Sequence, residues 1–561
     1  MQPDISYKKT KYKKRRTEVG KVRVVNVEQM RQIEEKAIHH YGMPSLLLME
    51  NAAWAVVEEI RRCLPKGEAD LSGRKAVILV GKGNNGGDGL AVARHLVLQG
   101  MDVTAFLFAG LKELKGDAAL NLRLFQGTTG KCFVIEGEKQ RRLTRLALAQ
   151  ADVVVDALYG IGMRGALPSL VEEYVDEVNR AQGWVVSIDI PSGVDANTGK
   201  VYRTAVHAQT TVTFGLPKWG LFLGEGPDYS GRVVVDPISI PASYLEDEGI
   251  STFVLTDDDV RQMLPIRKLK GHKGTHGKGI LVAGSKGMSG AAVLAGRGAL
   301  RSGIGLLQIV APQGIAKEVD TAITEATIWS APGDECLNEE AWPVILKQSE
   351  SAQALAVGSG LAQNPEFISV LGEILRSISC PVVLDADALN QVAMEPGLLG
   401  SRNGRGPLIL TPHPGEMARL CECSVEDVES NRLDLAVAKA VEWEAVVVLK
   451  GSVTIIASPD GRAFFNPTGN PGLGTGGTGD VLTGSILAWL AQGVAPLEAA
   501  CLGVYLHGKS ADVLAKEYGW SGFTASEVAD KLPKARRELE LKPNIGKEGM
   551  SLWGCDRFGL K

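Results

Sequence analysis

The chain has 561 residues, of which 45% are hydrophobic and 22% charged, with a formal net charge of −4. That length exceeds what one ordinary hydrophobic core holds and predicts roughly two to four domains. The composition excludes extensive disorder and a broadly basic surface, so neither nucleic acid nor membrane is an expected partner and small-molecule chemistry is favoured.

The eight cysteines are scattered, and the closest pair, Cys421 and Cys423, forms only a C-x-C. Neither zinc spacing nor a disulfide framework is implied. Without an apolar signal-peptide core near the N-terminus, a reducing cytoplasm is the expected setting.

Residues 1–22, rich in Lys8, Lys9, Lys11, Lys13, Lys14, Arg15 and Arg16 with few apolar partners, are expected to form a basic flexible tail. From Val27 two helical stretches, VEQMRQIEEKAIHHYG and LLMENAAWAVVEEIRRCL, precede the apolar strand AVILV at 76–80. The β-branched runs VTAFLFA, ADVVVDAL, WVVSIDI and TVTF follow, separated by helical or polar stretches. That alternation predicts an α/β domain with a doubly wound parallel sheet covered on both faces. A second series, GILVAG, LLQIVAP, ALAVGSG, PVVLDAD, LILTP, AVVVLKG and TIIASP, starts after the acidic, proline-containing segment DPISIPASYLEDEG. The domains are therefore expected at 23–250 and 251–540, with a C-terminal tail over 541–561. No internal repeat is evident, so two different α/β folds joined end to end are expected. The uncharged run VLTGSILAWLAQG reads as a buried helix, because Gln492, Gly493 and Pro496 end it short of a membrane span.

Two glycine-rich loops carry the chemistry. The first, GKGNNGGDGLAVARHL, follows the strand AVILV and opens a helix. It differs from a nicotinamide-redox fingerprint, because asparagines and an aspartate stand among Gly81, Gly83, Gly86 and Gly87. VVVDALYGIGMRG and VVSIDIPSGVDANTG place Asp156, Asp189, Ser192 and Asp195 at neighbouring strand ends. In a doubly wound sheet the carboxyl ends of the strands line one crevice, so Asn85, Asp156, Asp189 and Ser192 can converge, and their oxygens suit a hard cation. Helix or turn capping is the other role open to the two aspartates.

The second loop, NPGLGTGGTGD at 470–480, pairs glycines that let amides converge on an anion with a following helix N-terminus. A carboxylate beside bound phosphate opposes binding, so Asp480 needs a reason to be there, and general-base work on a substrate hydroxyl supplies one. An N-cap is the plainer role. His413 between two prolines, and Asp385 and Asp387 after PVVL, suit structural roles as well as ligand contacts, and Lys218 and Lys450 could be solvated.

The N-terminal motifs NNGGDGLAVARHL, VVVDALYGIG, SIDIPSGVDANTG and TVTFGLPKWGL resemble the NAD(P)H-hydrate epimerase family over about 30–240. The resemblance implies a Rossmann-like fold, a potassium ion held by Asn85, Asp156 and Ser192, and exchange of R and S epimers of hydrated NADH or NADPH. Asp189 would act on the substrate. The loops Asn84, Asn85, Gly86, Gly87, Asp88 and Gly160, Ile161, Gly162, Met163, Arg164, Gly165, Ala166 would wrap it.

The C-terminal motifs, HKGTHGKGILVAGSKGMSGAAVLAG, LAVGSGL, VLDADALN, LTPHPGEMARL, VVVLKGSVTII and the 470–480 loop, resemble the ADP- or ATP-dependent NAD(P)H-hydrate dehydratases, a ribokinase-like fold, over about 268–533. The resemblance implies Asp480 as base, Gly476, Gly477, Thr478 and Gly479 around the transferring phosphoryl group, and Lys450, Gly451, Ser452, Val453 and Thr454 on the nucleotide. Ala291, Gly360 and His413 would contact the hydrate, and magnesium would accompany the nucleotide. GSGLA stands where this family usually has GPGLG.

The implied whole is a homo-oligomeric repair enzyme acting on the hydrates NADHX and NADPHX, with ADP favoured over ATP. A ribokinase-like kinase of a small alcohol, carrying a non-catalytic N-terminal binding domain, is the alternative.

Overall fold

The structure, a computed structural model, describes residues 22–64, 71–136, 138–267, 269–402, 406–541 and 550–551. The basic segment lies outside these residues except for Val22, and the expected C-terminal tail does so except for 541 and 550–551. Val22 departs from the expected tail, since it starts strand β1 (Val22–Arg23). Val22 and Val24 are buried while Arg23 between them donates to Ile250 O at 2.6 Å, an alternation that suits a half-buried strand.

The first sheet contains β2 (Lys75–Val80), β3 (Asp102–Leu107), β4 (Lys131–Val134), β5 (Val153–Ala157), β6 (Trp184–Ile188), β7 (Thr210–Phe214) and β8 (Arg232–Asp236). Its order is β4-β3-β2-β5-β6-β7-β8, parallel throughout. Strand order reverses between β2 and β5, the point at which a doubly wound sheet opens a crevice.

The second sheet takes in β9 (Thr252–Val254), β10 (Lys278–Val282), β11 (Leu306–Pro312), β12 (Thr327–Ala331), β13 (Ala354–Val357), β14 (Val382–Leu384), β15 (Leu408–Leu410), β16 (Val446–Leu449), β17 (Ile455–Ala457) and β18 (Ala463–Phe465). Its parallel part runs β12-β11-β10-β13-β14-β15-β16, and the order reverses between β10 and β13. Antiparallel β17 and β18 extend it, β9 pairs parallel to β18, and β1 closes that edge antiparallel to β9.

Apart from Lys75 at the start of β2, the central strands β2, β5, β13 and β16 are buried end to end, which is why their hydrophobic runs were legible. The edge strands β4 and β12 were missed because their residues are largely half-buried or exposed and mix polar with apolar. Short β9 and β18 escaped because three residues carry little periodicity. The run after Asp480 is the expected buried helix, Thr478–Ala491. Among the described residues no helix is long and apolar enough to cross a membrane.

The two halves are joined by more than chain continuity. Met550–Ser551, strand β19, pairs antiparallel with β8 of the first sheet, after the chain has left the second. A single apolar cluster includes Ile190, Leu221 and Phe222 from the first half and Met417, Val453 and Phe465 from the second.

Candidate active sites

The first crevice forms where β2 and β5 diverge. The helix Asn84–Leu98 begins directly at the end of the loop after β2, so its unsatisfied first-turn amides open onto the crevice. Asn84 is exposed at its start, Asn85 and Asp88 are partly buried, and Gly86 and Gly87 are buried. From the β5 side Gly160 approaches Asn85 closely: a Cβ on Gly160 would lie 3.2 Å from Asn85 Oδ1. Gly162, Arg164 and Ala166 of that loop are exposed, whereas Ile161 and Met163 pack partly against the apolar clusters.

Asp156, one residue before the end of β5, is fully buried. Its Oδ1 accepts from Ser192 Oγ at 2.6 Å, and its Oδ2 accepts from Ser192 N and Ser187 Oγ, each at 2.8 Å. Burial pushes the carboxyl up, while the bonds from Ser192 and Ser187 pull it back down. Beside this group the Asn85 Nδ2 is buried with no partner. The Asp156 carboxylate, the Ser192 hydroxyl and the Tyr159 carbonyl stand together, and Asn85, beside Gly160, could add its amide oxygen; oxygens of these kinds suit a hard monovalent cation.

Asp189 follows β6 at φ +69, a strained backbone for a non-glycine residue. Its Oδ1 accepts from Lys218 Nζ at 2.5 Å and from Thr213 Oγ1 at 3.2 Å. Lys218 is 1% exposed and also donates to Phe214 O at 2.8 Å. Two further carboxylates face this pair. Burial raises Asp88 well above the usual carboxylate range, reinforced by the charges of Asp189 and Glu34. Glu34, on the helix Val27–His39, is raised by burial and Asp189 against the opposing charge of Lys218. The site thus gathers three carboxyls and one lysine, with Asp88 and Glu34 shifted toward their protonated forms.

The second crevice forms where β10 and β13 diverge. Ala291 and Gly360 meet there from opposite sides. Gly360 has φ +63, and a Cβ on it would lie 2.8 Å from Ala291 Cβ, so only glycine leaves this floor open. The helix Thr478–Ala491 starts after Gly477, which has φ +90, and the Thr478 hydroxyl ties the loop down by donating to Leu473 O and Thr475 O at 2.9 and 3.0 Å. Gly476 and Gly479 stand at the open side of that start.

Asp480 lies in the first turn, partly buried, and its carboxyl is pushed up to about 7, first by burial and then by the charge of Asp385. Ser359 and Lys450 act against that rise. The buried Ser359 Oγ has no partner meeting hydrogen-bond geometry, so its hydroxyl acts on Asp480 as a nearby dipole.

Lys450 is not a solvated side chain. Its Nζ donates to Asp385 Oδ1 at 2.9 Å and lies 3.8 Å from Glu416 Oε2, and a Cβ on Gly479 would stand 3.6 Å from it. Asp385 is 2% exposed and also accepts from Thr411 and Thr483. Burial opposes its ionisation, yet Lys450 and the two hydroxyls hold its carboxyl below the ordinary value. Asp387 accepts instead from Ala362 N at 2.9 Å, a structural bond.

His413 has the structural role open to it, as a helix cap. Its Nδ1 accepts from Gly415 N and Glu416 N at the start of helix Pro414–Leu420, while its backbone N–H donates to Glu416 Oε2. Burial and the charges of Lys450 and Arg419 lower its pKa, so the ring is neutral with its proton on Nε2. The ring is half-exposed, and its Nε2 lies 3.3 Å from Glu416 Oε1.

Of the segment expected to meet the nucleotide, Gly451 and Ser452 are exposed, Val453 is buried and Thr454 half-buried, in the turn joining β16 to β17.

Residues 45–220 match the family described as YjeF-related protein N-terminus, and residues 280–534 the family described as NAD(P)H-hydrate dehydratase. Over 519 residues the chain is 40% identical to the bifunctional NAD(P)H-hydrate repair enzyme Nnr of Moorella thermoacetica, covering 92% of this chain and 97% of that one. The chain belongs to the bifunctional NAD(P)H-hydrate repair enzyme family. Its relative of that name in Escherichia coli is 32% identical over 509 residues, covering 90% of this chain and 92% of that one. A solved structure of the ADP/ATP-dependent NAD(P)H-hydrate dehydratase from Bacillus subtilis, co-crystallized with ATP/Mg2+, is 37% identical with a TM-score of 0.44, covering 51% of this chain and 97% of that one.

For this member of the repair enzyme family, sequence reasoning missed Glu34, Lys218, Glu416 and Ser359 as parts of the two crevices. A lone lysine inside the apolar run TVTFGLPKWGLF was the available signal for Lys218, and the H-P-G-E spacing of a capping box was that for Glu416. Glu34 sits in a helix with several equivalent glutamates, and nothing in the sequence singles it out.

Proposed function

We propose that the chain restores hydrated nicotinamide nucleotides in two steps, one in each crevice. The first crevice interconverts the R and S hydrates of NADH or NADPH. The second converts the S hydrate to NADH or NADPH with consumption of ADP. Membership of the repair enzyme family supports both activities, and the carboxyl of Asp480, poised near neutrality at an anion-accepting helix start, is the observation that carries the second.

In that reading Asp480 takes the proton from the hydrate's hydroxyl as its oxygen attacks the terminal phosphorus of ADP, releasing AMP. The oxygen then leaves as phosphate, and loss of a ring proton restores the double bond. Lys450 and the amides of Gly476, Gly477, Thr478 and Gly479 offset the negative charge that gathers on the transferring group. Lys450, Gly451, Ser452, Val453 and Thr454 meet the nucleotide, with Ala291, Gly360 and the His413 Nε2–H against the hydrate. Magnesium, arriving with the nucleotide, would offset the charge of its phosphates. Among the described residues no group of three or more His, Cys, Asp or Glu forms a cage for it.

In the first crevice Asp189, held by Lys218, is the group placed to move a proton on the hydrate. The helix start at Asn84 to Asp88 and the loop Gly160 to Ala166 flank it. Asn85, Asp156 and Ser192 would hold potassium, which would supply fixed positive charge beside a phosphate-bearing substrate. The scattered cysteines favour a reducing cytoplasm as the setting.

The test is to mix the protein with each separated epimer, ADP or ATP, magnesium and potassium, and follow reduced-nicotinamide absorbance. Recovery from S with nucleotide, and from R only when potassium is present, is the expected result. Phosphorylation of a small alcohol with no action on either hydrate would replace this reading with a kinase.

A further inference from the structure

The helix Arg432–Glu442 starts beneath the turn that joins β16 to β17, and its first residue has an unusual load. Arg432 is buried, and its Nη2 donates to three carbonyls of that turn: Leu449 O at 3.2 Å, Lys450 O at 3.0 Å and Val453 O at 3.2 Å. Its Nη1 donates to both oxygens of Glu429 at 3.2 Å, which keeps the guanidinium oriented. The fit is close on the other side too, since a Cβ on Gly451 would lie 2.4 Å from Nη2 and 2.7 Å from Nη1.

A buried guanidinium is expensive unless its donors are met, and here backbone oxygens meet them. The consequence falls on the turn. With three carbonyls drawn inward to one cation, the path of Lys450 to Val453 is fixed from below. The outer edge at Gly451 and Ser452 stays exposed, while Lys450, the first residue of the turn, reaches Asp385 and the helix start at Gly479.

We propose that Arg432 is a positioning residue for the nucleotide: it sets the shape of the Lys450–Thr454 turn, and so the placement of Lys450, without touching the ligand. This rests on the reading that the turn meets ADP. A five-residue turn between two antiparallel strands has many accessible shapes, and a displacement of about 1 Å at a binding group is enough to cost on the order of a hundredfold. Methionine at 432 keeps the apolar stem but removes every donor. Lysine keeps the charge but lacks the planar fork with which Nη2 meets the turn carbonyls while Nη1 holds Glu429.

The test measures ADP binding by calorimetry, and KM and kcat for dehydration of the S hydrate, in R432M, R432K and T454A. Epimerisation and thermal unfolding of the same preparations report folding. R432M is expected to weaken ADP by about tenfold or more, with the KM for the hydrate within about twofold and epimerisation intact. R432K should fall between wild type and R432M, and added guanidinium should recover part of the affinity of R432M. If R432M fails to fold, R432K carries the comparison. Unchanged ADP affinity in the folded variants, with T454A weakened, would overturn the role of Arg432 alone. Unchanged affinity in T454A as well would overturn the placement of ADP on the turn.

Discussion

The ring of Phe222 stacks on that of Phe465, with centroids 5.3 Å apart and planes inclined by 15°. Phe222 follows the loop that carries Lys218 of the first crevice, and Phe465 ends β18 of the second sheet. Around this pair the N-terminal segment ties the halves together. Val24 N donates to Thr252 O at 2.9 Å, Val25 N donates to Pro217 O at 2.9 Å, and Trp219 N donates to Val25 O at 2.9 Å. One short segment is thus bonded to β9 of the second sheet and to the residues on both sides of Lys218.

That junction bears on the division at 250/251. Fragments covering 22–250 and 251–541 each keep a complete crevice, but each also exposes half of a shared apolar cluster, and the second loses β1 from its sheet edge. Both are expected to unfold at lower temperature than the full chain and to reassociate when mixed, read by thermal unfolding and size-exclusion chromatography. Full stability in the isolated fragments, with no association, would show that the junction is only a contact.

The Lys218–Asp189 pair makes a separate prediction for stability. Lys218→Met leaves Asp189, 8% exposed, without its cation, and breaking a buried pair from one side costs about 3–5 kcal/mol. The double variant Lys218→Met with Asp189→Asn should recover much of that loss while remaining inactive in epimerisation. Chemical denaturation of the three proteins checks it, and a double variant no more stable than the single one would count against ion pairing as the cause.

The pH profile follows from Asp480. Its carboxyl, raised to about 7 by burial and then by Asp385, is protonated below that pH and available as a base above it. With ADP saturating, kcat/KM for the S hydrate should rise about tenfold per unit on the acid side and level off above an inflection near 7. Lys450 lowers this pKa, so Lys450→Met should move the inflection to higher pH as well as weaken activity. A profile flat from pH 5.5 to 8.5, on the order of the window set by these values, would remove Asp480 from the role of base.

The parts of both crevices that sequence made visible are those built from local pattern. A glycine-rich loop after a buried strand places Asn85 at a helix start, and apolar runs ending in Asp place Asp156, Asp189 and Asp385 at the carboxyl ends of strands, because a parallel sheet buried on both faces leaves no other reading of such runs. What was hidden depends on distance along the chain. Lys218 meets Glu34 only because the helix Val27–His39 packs back onto the first sheet, and Lys450 meets Asp385 only because β14 and β16 flank β15. Val22 read as tail because its partner, Val254, is far away in sequence, and no local periodicity records such a pairing.

The two crevices are expected to be chemically separable even though their frameworks share a core. Asp480 stands at the start of the helix Thr478–Ala491, and Asp189 stands behind β6 in the other sheet, held by Lys218. Asp480→Asn removes the base but keeps the size and polarity of the side chain in the helix's first turn. It should bind ADP normally while dehydration slows by roughly 10² or more, with epimerisation unaffected. Asp189→Ala should do the reverse: the S hydrate is consumed at the normal rate, and recovery from R falls to the spontaneous rate of epimer exchange. Following each purified epimer by absorbance and by chromatographic separation distinguishes the two. Equal loss with both epimers in Asp189→Ala, in a protein whose unfolding temperature is unchanged, would mean that the crevices work as one composite site and that the shared cluster transmits more than stability.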